Sequence, residues 1–135
     1  MKEGEIMSGY HTNIEEETLK NTNFRKVLYT GTYQQLVVMN LKPNEEIGME
    51  VHDNVDQFFR IEAGNAKFVI DGEEISAQKD EVVIVPAGSK HNVINVSPTE
   101  TLKLYTIYAP PNHPDGTIHR SKKEAEEYEK SHDEG

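Results

Sequence analysis

The sequence has no cysteine, and that absence removes disulfide scaffolds, thiolate zinc sites, iron–sulfur clusters and cysteine nucleophiles together. It is also short of basic charge: 14 Lys and Arg stand against 24 Asp and Glu, a formal net charge of −10. Unspecific binding to nucleic acid or to an anionic membrane needs a basic surface, so neither is an expected partner. No apolar run approaches the length of a membrane span, and Met1 to Tyr10 hold no signal-peptide core. Internal repeats and low-complexity tracts are missing too. The expectation is a soluble, cytoplasmic protein whose 135 residues make one domain.

What is present falls into three zones. Residues 1–23 are polar and rich in Glu and Asn, an N-terminal arm with a short helix predicted after Asn13 as N-cap. Residues 24–109 hold nearly all the apolar sequence, in short bursts bounded by Gly, Asn, Asp or Pro. Candidate strands are 25–30, 33–41, 47–52, 56–63, 66–71, 81–85, 91–96 and 101–108, rich in Val, Ile, Tyr, Phe and Thr. Asp71-Gly72 is the strongest hairpin signal, because a two-residue primed turn needs positive φ. No convincing 3.6-residue period runs through this zone, so the fold is all-β: a sandwich, jelly roll or small barrel. Residues 110–135 begin with Pro110-Pro111-Asn112-His113-Pro114-Asp115-Gly116 and end in a charged tail. Within that tail Ser121 and Glu124 form a capping box for a helix over 121–129.

Two stretches carry chemistry. In the first, Glu50 and His52 stand two residues apart in a predicted strand, so their side chains share a face. A turn over Asp53 to Val55 follows, and Gln57 opens the next strand, where pairing can bring it alongside. The second stretch returns His91 to the sheet after the turn Pro86-Ala87-Gly88.

These two stretches resemble the paired motifs of the cupin superfamily. The first motif maps onto Asn44, Glu50, His52, Gln57 and Gly64, and the second onto Asp80, Pro86, Gly88, His91 and Asn95. The likeness spans about residues 35–108. Asn44 and Asp80 replace the leading glycines, and both types tolerate a left-handed backbone. Glu50 replaces a usual His and Gln57 a usual Glu, so carboxylate and neutral donor have changed sides. The resemblance implies a cupin jelly roll, or double-stranded β-helix, with a metal held by Glu50, His52, Gln57 and His91. Two imidazoles, a carboxylate and an amide oxygen suit one divalent transition ion, Fe, Mn, Ni or Zn. Two other readings stay open. An alignment with His52 and Asn54 on the paired histidines leaves Gln57 one residue short, and the polar set can instead be a hydrogen-bonded cluster without metal.

Other residues are pocket or substrate candidates. Phe59 shares the face of Gln57 and Ile61, as an apolar wall or as core. Tyr105 on the last strand has a hydroxyl to offer a ligand or a structural partner. His113 and His119 sit in a Pro/Gly frame, which reads as a lid over the barrel mouth or as a rigid connector. The resemblance also implies a homodimer, with the arm over residues 1–23 reaching to a partner subunit.

Function stays open among three readings. One is a metal-dependent enzyme, oxygenase or isomerase, acting on a small organic molecule. Another is a module that binds such a molecule without turnover, and the third is a structural cupin without metal. A sugar-phosphate isomerase of mannose-6-phosphate type is a further alternative, suggested by small cupins that share the Pro-Pro-x-His-Pro tail. A phosphate site needs converging cations, and the candidates in or near the barrel strands are only Arg60, Lys67, Lys90, Lys103 and Arg120. Arg60 is on the face opposite Gln57, so this alternative ranks below a general metal-binding cupin.

Overall fold

The computed structural model describes residues 5–6 and 8–131. In chain order the elements are β1 (Glu5–Ile6), β2 (Gly9–Tyr10), α1 (Ile14–Lys20), β3 (Arg25–Thr30), β4 (Gln35–Leu41), β5 (Asp56–Ala63) and β6 (Asn65–Ile70). There follow β7 (Glu73–Gln78), β8 (Val82–Val85), β9 (His91–Asn95), β10 (Leu102–Ala109), β11 (Ile118–His119) and α2 (Lys122–Ser131). One sheet runs β11-β3-β4-β10-β5-β8 and a second runs β7-β6-β9, with every pairing antiparallel. This is the jelly-roll architecture that the short alternating bursts predict.

The core lies between the two sheets because each strand turns alternate apolar residues inward. Val37, Met39 and Leu41 of β4, Phe59 and Ile61 of β5, and Leu102 and Leu104 of β10 meet Ala66 and Phe68 of β6 and Val93 of β9. Phe59 and Phe68 meet edge to face, ring centroids 5.0 Å apart. Burying each such side chain contributes about 1.5–3 kcal/mol, so this seam holds the sheets in register.

Turn chemistry follows the sequence closely. Asp71 and Gly72 have φ of 49° and 85° and join Ile70 to Glu73, the predicted two-residue hairpin. Asn44 and Asp80, standing where glycine is usual, have φ of 65° and 73°. Gly64 cannot be replaced so easily. Its φ is +92°, and a Cβ there would sit 2.6 Å from the Thr101 carbonyl oxygen.

The helix after Asn13 forms as expected, with Asn13 Oδ1 accepting from the Glu16 amide at 3.0 Å. At its other end Lys103 Nζ donates to the carbonyls of Leu19 and Asn21, at 2.6 and 3.0 Å, supplying partners that a helix terminus lacks. Helix α1 thus packs on this chain's own β4, β5 and β10. Residues 1–4 and 7 of the predicted arm lie outside the described residues, as do residues 132–135 of the tail.

Three expectations need correction. Residues 47–52 are not a regular strand. Glu46 bridges Ile94 and Glu50 bridges His91, four steps on one side against three on the other. The extra residue falls around Gly48 (φ 111°), whose amide donates to the Asn92 side chain at 2.8 Å instead of to a ladder carbonyl. Strand β7 was not predicted, since Glu73-Glu74-Ile75-Ser76-Ala77-Gln78 buries only Ala77 and carries almost no apolar alternation. Strand β11 comes from the tail rather than from residues 24–109: Ile118 and His119 pair with Lys26 and Arg25.

Candidate metal centre

The bulged segment and β9 bring the site together. Glu50 and His91 exchange backbone hydrogen bonds of 2.8 and 2.9 Å, which sets them side by side. The turn after Glu50 is held by Gly88, whose amide donates to the His52 carbonyl at 2.8 Å. Gly88 does so at φ 85°, so the second motif's glycine supports the first motif's histidine. Glu50, His52 and His91 each place one donor atom within 4.8 Å of the others. Gln57 stands at the start of β5, buried, where it pairs with Tyr108 of β10 and Val85 of β8. Asn54, used by the alternative alignment, is exposed on the turn.

Hydrogen bonding separates the ligand-type atoms from the rest. His91 Nδ1 lies 3.0 Å from the Ser89 carbonyl, so it carries the proton and leaves Nε2 with a bare lone pair. That Nε2 is buried without a partner, as are His52 Nε2 and Gln57 Oε1. The Gln57 amide is fixed by its other end, Nε2 donating to Thr106 Oγ1 at 3.0 Å. Glu50 Oε1 sits 3.5 Å from His52 Nε2, an ion-pair separation rather than a short hydrogen bond. Burial raises the Glu50 pKa, but His52, Arg25 and His91 outweigh it and hold the carboxyl below its ordinary range. Two imidazole nitrogens and one amide oxygen are thus left buried without partners, which is costly unless a cation meets them. The half-buried Glu50 carboxylate lies beside the two imidazoles. This donor set fits a divalent transition ion. The side chains of Glu50 and His52 keep 26% and 14% exposure, so the cluster has a side toward solvent.

Around the cluster lies a second group of residues. Phe59 is core, and its ring also meets that of His91 edge-on at 6.4 Å, so wall and core are one role. Tyr105 is on the outer face of the sheet, beside Phe58 at 6.1 Å, because β10 turns Leu104, Thr106 and Tyr108 inward. The inward tyrosine is Tyr108. Its ring packs edge-on against His52 at 6.0 Å, and its hydroxyl lies 3.2 Å from His113 Nε2. Burial pushes the Tyr108 phenol well above its ordinary range and the His113 imidazole down to about 3.

Gln35, fully buried, ties the Pro-rich segment down. Its Oε1 accepts from the amides of Asn112 and His113, and its Nε2 donates to Thr30 Oγ1 and the His113 carbonyl. That anchoring is what a rigid connector requires. His119 is buried too, its Nδ1 accepting from Arg25 Nη1 at 3.3 Å and its ring lying 5.1 Å from Tyr128 of α2.

Arg25 is the residue that the sequence reading missed. It is 1% exposed, and its charge acts on Glu50, Tyr108, His113 and His119. Arg60, by contrast, points outward to Asp80 at 3.0 Å. One sign was legible: Arg25 stands two residues before Val27 in β3, so alternation puts both on the inward face.

Comparison with known proteins agrees with this fold. The chain is 47% identical over 119 residues to the uncharacterized protein YrkC of Bacillus subtilis, covering 84% of this chain. It spans 63% of YrkC's length. An uncharacterized protein of Acanthamoeba polyphaga mimivirus is 45% identical over 113 residues, covering 81% of this chain and 70% of the viral one. The crystal structure of BH2720 from Bacillus halodurans superposes with a TM-score of 0.85 at 39% identity, covering 87% of this chain and 93% of that one. The Cupin domain family model matches residues 37–108, the stretch that runs from β4 to β10 and carries both motifs. Fold, motif glycines and family match converge, and the chain belongs to the cupin family.

Proposed function

We propose that this protein is a metal-binding mono-cupin that holds one divalent transition ion and presents it to a small organic molecule. The observation that carries the reading is the set of unpartnered buried atoms, His52 Nε2, His91 Nε2 and Gln57 Oε1, beside the Glu50 carboxylate. A hydrogen-bonded cluster without metal would have paired these atoms with one another, as buried polar groups ordinarily are. When bound, the ion supplies Lewis acidity, polarising an oxygen of the bound molecule. The chain's own residues do the rest. His91 is oriented by the Ser89 carbonyl, Gln57 is held by Thr106, and Phe59 with the core behind it keeps water from the inner side.

The test is the metal content of the purified protein, measured by elemental mass spectrometry before and after chelation and reloading. The expected result is one equivalent of a transition metal per chain, with Glu50→Gln retaining far less. No uptake on reloading, or unchanged content in Glu50→Gln, would overturn the reading.

A further inference from the structure

We propose that Arg25 and the Tyr108 hydroxyl form an anion subsite beside the Glu50, His52 and His91 cluster, and that the small molecule taken there carries a carboxylate group. The inference rests on the metal reading above and names the substrate class of the same site.

Arg25 is buried to 1% exposure with one donor left open. Its Nε has no partner, and Nη1 meets only the neutral His119 nitrogen at 3.3 Å and Glu129 Oε2 at 3.6 Å. Glu129 pairs with it only from the outer side, through a side chain that is 52% exposed. A guanidinium held inside a barrel with an unpartnered Nε calls for an anion, and its planar fork matches a carboxylate. Tyr108 is buried on the inward face of β10, and the Arg25 charge acts on its phenol. His113 Nε2 lies 3.2 Å from the phenol oxygen.

Charge points the same way. A divalent ion met by Glu50 alone leaves positive charge on the site, and Arg25 adds to it. A ligand with one or two carboxylates removes that excess. A phosphate dianion asks for several strong donors converging on its oxygens. The wall around Arg25 offers a hydroxyl and two imidazoles, His113 and His119, that burial and Arg25 keep uncharged. Carboxylate is therefore the group that the donors suit.

The probe is malonate, a small dicarboxylate, titrated calorimetrically into the full-length metal-loaded chain, with inorganic phosphate as comparison. Arg25→Gln is expected to weaken malonate binding at least tenfold while leaving metal content at one equivalent. Tyr108→Phe, which keeps the ring and removes only the hydroxyl, is expected to weaken it several-fold. It also decides the matter should Arg25→Gln not fold. Malonate affinity unchanged in every variant that folds, or phosphate bound as tightly as malonate by the wild type, would overturn the proposal. Absent metal in the wild type would instead defeat the metal reading. In that event the subsite stands or falls by the same variants titrated without metal.

Discussion

The two ends of β9 teach different lessons about buried polar groups. At its C-terminal end Asn95, 1% exposed, uses its side chain fully. Its Nδ2 reaches the carbonyls of Leu41, Lys42 and Glu100 at 3.1, 3.0 and 2.9 Å, and its Oδ1 accepts from the Ser97 amide at 3.0 Å. At the N-terminal end His91, 3% exposed, leaves Nε2 with no partner although its Nδ1 is held at 3.0 Å. Both residues belong to the same motif. One is satisfied by the fold and therefore structural, while the other is oriented by the fold and left open, as a ligand atom must be.

That contrast can be broken or sharpened by experiment. The largest effect is expected from His91→Ala, which removes a donor atom. Metal affinity should fall by a hundredfold or more on the order typical of a lost ligand, read as metal content after dialysis, with the apo protein still folded by circular dichroism. Asn95→Leu should do the reverse. It removes the hydrogen bonds to the Leu41, Lys42 and Glu100 carbonyls and from the Ser97 amide. Unfolding stability is expected to fall by about 3 kcal/mol in a denaturant titration, with metal stoichiometry kept. Gly64→Ala should cost about 2–4 kcal/mol in the same titration, from the positive φ and the carbonyl contact together.

A smaller effect concerns pH. His113 faces Tyr108, Arg25, His119 and His52, and burial lowers its pKa from 6.5 to about 3. The unfolded chain therefore binds a proton that the folded chain refuses between those values. The stability contribution of neutral His113 is complete above about pH 6.5 and is lost progressively as pH falls toward 3. His113→Asn should flatten the fall in melting temperature across that window. An equally steep fall in the variant would contradict the assignment.

Much of this was legible from residues alone. Turn residues and β-branched bursts mark seven of the eight candidate strands, because local chemistry and burial agree in them. The spacing from Asn44 to Gly64 and from Asp80 to Asn95 reveals the family, since left-handed positions and turn glycines survive where ligands change. Strand β7 stays hidden because its face is almost wholly solvated, so no apolar pattern distinguishes it. The irregularity at Gly48 depends on the side chain of Asn92, forty-four positions away, and no local signal carries it. Tyr105 and Tyr108 could not be told apart by type. Only the phase of alternation along β10, set by its partners, decides which tyrosine faces inward. Arg25 lies outside both motifs, and a buried cation runs against ordinary expectation.

The central claim is that the open atoms at the N-terminal end of β9 hold an ion. Anomalous diffraction from crystals of the metal-loaded protein tests it most directly. The account predicts one peak about 2.0–2.2 Å from both His52 Nε2 and His91 Nε2, with a Glu50 oxygen in the same shell. No peak there, or an ion bound elsewhere on the acidic surface, would contradict it.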